Sequence, residues 1–152
     1  MAARRHLKLQ DAFLEGLFTG LDWRALHAII LDGIHRAAFG AATMNQFLDR
    51  ATSRADIRLD LRNAIVSERS WKRRVADKSP LAPAEVERMT DVGEVVREVR
   101  RIYGGNLDAS EKFLTSPHPR LGGRPPILVA ATEGGAQAVR ELLARMEEGA
   151  PA

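Results

Sequence analysis

No cysteine occurs among the 152 residues, which excludes disulfides and thiolate-bound metals and fits a reducing compartment. No apolar run approaches the roughly 20 residues that a bilayer-spanning helix needs. The opening MAARRHLKLQDAF carries basic residues without the apolar stretch of a secretory signal. A soluble, cytoplasmic protein with no membrane contact is therefore expected. The four histidines (His6, His27, His35 and His118) lack metal-ligand spacing such as H-E-x-x-H. No serine stands in a nucleophile elbow. RLGGRPP lacks both the G-K-[S/T] ending and the preceding strand of a phosphate loop. Neither catalysis nor a metal or cofactor is expected. No segment alternates in the manner of a β-strand, so the expected fold class is all-α.

What the chain does have is an ordinary globular balance, 45% hydrophobic and 28% charged residues. Its length suits one domain or two small ones. The formal net charge is +3, unevenly spread. Residues 1–78 carry 14 Lys/Arg against 9 Asp/Glu, and residues 79–152 carry 9 against 11, which suggests different partners for the two halves.

Apolar residues recur at helical spacing nearly throughout. Leu21, Trp23, Leu26, Ile29, Ile30 and Ile34 mark a first helix, with Asp22 as a possible N-cap. A second is predicted over 41–51, presenting Met44, Phe47 and Leu48, and a third from Arg54 bearing Ile57, Leu61 and Ile65. Ser67 is placed to cap a helix over 68–76. Pro83 opens the longest helix, whose face is Val86, Met89, Val92, Val96, Val99 and Tyr103, stopped by Gly104 and Gly105. Asp108 and Glu111 have capping-box spacing ahead of Phe113 and Leu114. A short helix over 126–131 and a last helix capped by Thr132 complete the pattern. The expected divisions are 1–52 (helical, with Phe13, Leu17, Phe18 and Phe39 serving a dimer contact or plain core), 53–104 (helix-turn-helix with a linking helix) and 105–152 (a C-terminal domain).

Two stretches carry functional signal. DIRLDLRNAIVSERSWKRRVADK has the parts of a helix-turn-helix unit, with Trp71 and Val75 anchoring the second helix. Ser67, Arg69, Ser70, Lys72, Arg73 and Arg74 would then face phosphates and base edges. A solvated basic helix has the same pattern. The second stretch, FLTSPHPRLGGRPPILVA, holds four prolines and two consecutive glycines between Pro117 and Pro126. Proline fixes φ and restricts its predecessor, while glycine permits angles that other residues avoid. The segment is thus stiff where a plain linker would be flexible. Leu121 and Pro126 are candidates for the core.

From Phe113-Leu114 through Pro117, Pro119, Leu121, Gly123, Pro126, Thr132, Gly135, Val139 and Leu142-Leu143 to Glu148-Gly149, the chain resembles the Xre/MbcA/ParS antitoxins of bacterial type II toxin–antitoxin pairs. That family's toxin-binding domain has an aromatic-Leu pair, T-P-x-P-x-L-x-G-x-x-P, Thr-x-x-Gly, Val-x-x-Leu-Leu and a terminal Glu-x-Gly. Upstream, SERSWKRRVADKSPLAPAEVERM looks like the family's recognition helix and the start of its linking helix. Phe113 stands where tryptophan is more usual, SPHP where TPNP is, and Ala150-Pro151-Ala152 where the tail is commonly apolar–aromatic.

The resemblance implies a non-enzymatic partner of a RES-domain toxin that consumes NAD or ADP-ribosylates a target. It also implies operator DNA binding with autorepression, and a homodimer within a hetero-oligomeric complex. Inhibition would come by occlusion. Arg120, Leu121, Gly122, Gly123 and Arg124 of the corner would meet the toxin, with Glu147, Glu148, Gly149, Ala150, Pro151 and Ala152 closest to its NAD cleft. A helix-turn-helix regulator with no toxin partner is the main competing reading. A protein-only adaptor and a small nucleotide enzyme using His118, Arg120 and Arg124 stand behind it.

Overall fold

The computed structural model describes residues 2–20 and 22–149, and these are helical with no strand among them. The order is α1 (Ala2–Thr19), α2 (Trp23–His35), α3 (Ala41–Ala51), α4 (Ala55–Ile65), α5 (Glu68–Asp77), α6 (Pro83–Ile102), α7 (Leu107–Thr115), α8 (Pro126–Val129) and α9 (Gly135–Glu147). A 3₁₀ turn, Pro119–Leu121, lies between α7 and α8. No helix among the described residues is long and apolar enough to cross a membrane. Leu21, expected on the first helical face, lies outside the described residues, as do Ala150, Pro151 and Ala152.

Helix α6 is the spine, packed by α1, α2, α3 and α4 on the N-terminal side and by α7, α8 and α9 on the other. Its Val86, Met89, Val92, Val96 and Val99 are buried, as their spacing predicts, and Tyr103 is half-buried. Burying one such side chain is worth about 1.5–3 kcal/mol. Phe13, Leu17, Phe18 and Phe39 are all in this core, so none of them is available for a dimer contact. The core runs unbroken from Phe13 to Leu143. The expected divisions at 52/53 and 104/105 fall in the turns between α3 and α4 and between α6 and α7, but burial does not stop at them.

Polar ties cross the same boundaries. The Glu111 carboxylate accepts from the Thr52 hydroxyl and, at 3.1 Å, from the Ser53 N–H. That removes Glu111 from the expected capping box: Asn106 caps α7 instead, accepting from the Ala109 N–H at 3.0 Å. Arg100 donates to the Arg50 carbonyl at 2.7 Å, joining α6 to the end of α3. Thr132 is likewise not the cap of α9. Its hydroxyl donates to the Val129 carbonyl at 2.7 Å and closes α8, while Gly134 takes the cap position.

Candidate functional site

The proline corner is folded back on itself. His118 and Arg124 form an antiparallel bridge, with the His118 N–H donating to the Arg124 carbonyl at 3.2 Å. The His118 carbonyl accepts from Leu121 and Gly123 N–H, each at 3.0 Å, and its Nδ1 accepts from the Arg120 N–H at 3.2 Å. Gly122 and Gly123 both adopt left-handed backbone, φ 67° and 74°. A Cβ at either would meet nothing within 4 Å, so the backbone angle and not crowding demands glycine there. Pro126 is buried, and Leu121 packs partly against the core.

This closed loop holds Arg120 and Arg124 at the surface. Arg120 and Leu121 form one wall of a shallow groove of about 290 Å³, and Ala138, Glu141, Leu142 and Arg145 of α9 form the other. The sequence reading missed the α9 wall. Its signal was the 138, 141/142, 145 spacing, which puts these residues on one helical face. On the far side of the corner, Tyr103, Phe113 and His118 make an aromatic run, with ring centroids 6.0 and 6.1 Å apart. Beside Lys112 and Pro117 they line a second hollow of about 300 Å³.

Glu147 and Glu148 at the end of α9 are exposed, and Gly149 turns the chain at φ 76°. Glu147 is not free. It pairs with Arg101 of α6 at 2.5 Å, and Arg101 also holds Glu98 at 2.6 Å. The bond from Arg101 holds the Glu98 carboxyl below its ordinary value, against a smaller upward push from burial. Two turns back along α9, Arg140 reaches Glu94 at 2.9 Å and Asp91 at 3.9 Å. Burial pushes both of those carboxyls above their ordinary values, and Arg140 only partly offsets it.

The basic helix lies elsewhere. Helix α4, the two residues Val66 and Ser67, and α5 follow in the expected order, and Ser67 caps α5 by accepting from the Ser70 N–H at 3.2 Å. Arg69, Lys72 and Arg73 are exposed; Ser70 is half-buried. Arg74 departs from expectation by turning inward. Its side chain is only 11% exposed, ion-paired to the 10%-exposed Glu85 at 2.5 Å, and it donates to the Pro80 carbonyl at 3.0 Å. A nearly buried arginine with a carboxylate within reach cannot remain unpaired without a large desolvation cost. Trp71 anchors α5 as predicted, lying against the Arg62 guanidinium at 5.0 Å, but Val75 is 52% exposed and anchors nothing. No residue of α5 is buried. Among the described residues no three of His, Asp and Glu converge to hold a metal; His27 stacks on Trp23 with centroids 5.1 Å apart.

The closed corner, its two arginines and the last helix all fall within residues 87–149, which match the family described as the antitoxin Xre/MbcA/ParS C-terminal toxin-binding domain. No curated protein matches the chain.

Proposed function

We propose, from the premise that residues 87–149 of this chain are an Xre/MbcA/ParS antitoxin toxin-binding domain, that it neutralises a RES-domain toxin by covering the mouth of its NAD cleft. The observation that carries this reading is the corner, closed by hydrogen bonds from His118 and presenting Arg120 and Arg124 outward. A loop already fixed in shape loses little entropy on docking. Its two guanidiniums suit an acidic or phosphate-bearing cleft, where each can bond bidentately. In this reading the segment from Glu147 onward, whose last three residues lie outside the described ones, meets the cleft. The inhibitor acts by exclusion and contributes no chemistry.

In this reading α5 binds operator DNA and the chain represses its own operon in the cytoplasm. Arg69, Lys72 and Arg73 are the exposed cations for that contact, Lys72 in a loose pair with Glu68 at 3.9 Å, while Ser67 and Ser70 serve first as cap and capped residue. A homodimer would set two copies of α5 about 34–36 Å apart on a palindrome. Among the described residues of 1–52, Trp23 and Leu31 of α2 are the large apolar side chains exposed for such a contact, at 60% and 55%. The exposed basic face of α5 equally supports a DNA-binding regulator with no toxin partner.

Co-expression with the adjacent reading frame, a tag on either chain, and an assay of NAD consumption separates these readings. A complex that co-purifies and has lost NAD-consuming activity is expected. An active toxin in the presence of this protein, or no association with a RES protein encoded beside it, would overturn the proposal.

A further inference from the structure

Behind α5 lies a cavity of about 320 Å³, unrelated to the corner, between the start of α3, the end of α5 and Gln10 of α1. Three of its lining residues hold a buried polar atom with no partner among the described residues: Gln10 Nε2, Arg74 Nε and Ser79 Oγ. Gln10 is only 5% exposed. A chain of bonds holds the oxygen end of its amide. The Gly40 N–H donates to Thr43 Oγ1 at 3.0 Å, and that hydroxyl donates onward to Gln10 Oε1 at 2.7 Å. The Nε2 end of the amide is left with its donors unsatisfied.

Ala41 and Ala42, at the start of α3, line the same space. Helix α3 has Gly40 at its N-cap, which has no side chain to cap it, and has no acidic residue in its first turn. The Ala41 and Ala42 N–H groups consequently lack intrahelical acceptors and stand at the positive end of the helix dipole. Lys78 adds a cation on the rim, and no carboxylate lines the cavity. Glu85 lies outside it and balances the Arg74 charge, leaving Lys78 and the α3 terminus to supply the attraction.

Buried donors without acceptors, gathered at an uncapped helix start, call for an anion. We infer that this cavity binds a phosphoryl group. Phosphate could come from a free phosphate compound or from a DNA backbone, and the geometry favours the free compound. Arg74, Val75 and Lys78 lie on the side of α5 opposite Arg69, Lys72 and Arg73, because residues three to four apart share a helical face. An occupant would tie α5, which buries no residue of its own, to α1 and α3.

Titration calorimetry of the full chain with inorganic phosphate, at constant ionic strength, tests this. One saturable site and a raised Tm are expected. Ser79→Ala removes a hydroxyl that bonds nothing, so it should melt no lower than wild type in phosphate-free buffer. It should nonetheless weaken phosphate binding about tenfold or more, the usual effect of one lost bond to a charged group. Lys78→Asn should do the same, asparagine tolerating the left-handed backbone at φ 54°. Binding to an unrelated DNA duplex should not change in either variant. Absence of saturable binding, or equal binding by wild type and both variants, would overturn the inference. So would weakened duplex binding in the variants with no phosphate binding by wild type, which would assign the cavity to the DNA backbone.

Discussion

Gly122 and Gly123 hold the corner in backbone that an L side chain enters only at a cost of about 1–2 kcal/mol. Gly123→Ala is therefore expected to lower Tm by a few degrees and to weaken the toxin complex. Melting curves and titration check both effects, and unchanged values in both would mean that the corner's shape does not matter. Gly135 is required for a different reason, since a Cβ there would lie 1.8 Å from the Val129 carbonyl oxygen. That contact accounts for the Thr-x-x-Gly pattern, in which Thr132 closes α8 and Gly135 lets α9 approach it. Such glycines are legible in a sequence because nothing else fits. The fate of Arg74 was not. Helical periodicity placed it beside Lys72 and Arg73, and only the tertiary fold brings Glu85 within 2.5 Å. Arg74→Ala should consequently destabilise the protein by about 3–5 kcal/mol, the usual effect of breaking a buried pair. Replacing Arg69, Lys72 and Arg73 by alanine should leave Tm nearly unchanged and abolish the operator binding proposed for α5, read by gel shift.

Among the helices, α3, α4 and α6 follow their predicted spans because each has a regular apolar face and a clear start or stop. Helix α1 was not placed from the sequence: its first turns are basic, and Phe13, Leu14, Leu17 and Phe18 crowd into its second half. The pairing of α9 with α6 was also invisible, since ion pairs between helices leave no periodic mark. It has a pH signature. Asp91 and Glu94 have raised folded-state values, so the folded protein holds more protons than the unfolded chain once pH falls into that range, and stability at these two sites rises as pH falls. Glu98, held low by Arg101, contributes in the opposite direction, its stabilisation being lost on acidification. Glu94→Gln mimics the protonated side chain. The Tm gap between this variant and wild type should therefore narrow from pH 7 toward about pH 5. Parallel melting curves across that range would contradict the assignment.

Across the whole molecule, the family match begins inside α6, and the packing explains why a C-terminal unit needs part of that helix. Helices α7, α8 and α9 all rest on α6, and α8 also touches α4. A fragment of residues 105–149 lacks this support and should show little helical circular dichroism. The full chain, with its continuous core, should unfold in one calorimetric transition. Two resolved transitions would show that the halves are independent after all. The most direct test of the central claim is the affinity of the full chain for the RES-domain toxin proposed as its partner, measured beside an Arg120→Glu/Arg124→Glu variant. Tight binding by wild type is expected, with a loss of at least about thirtyfold in the variant at unchanged Tm. Equal affinities, or no complex with wild type, would contradict it.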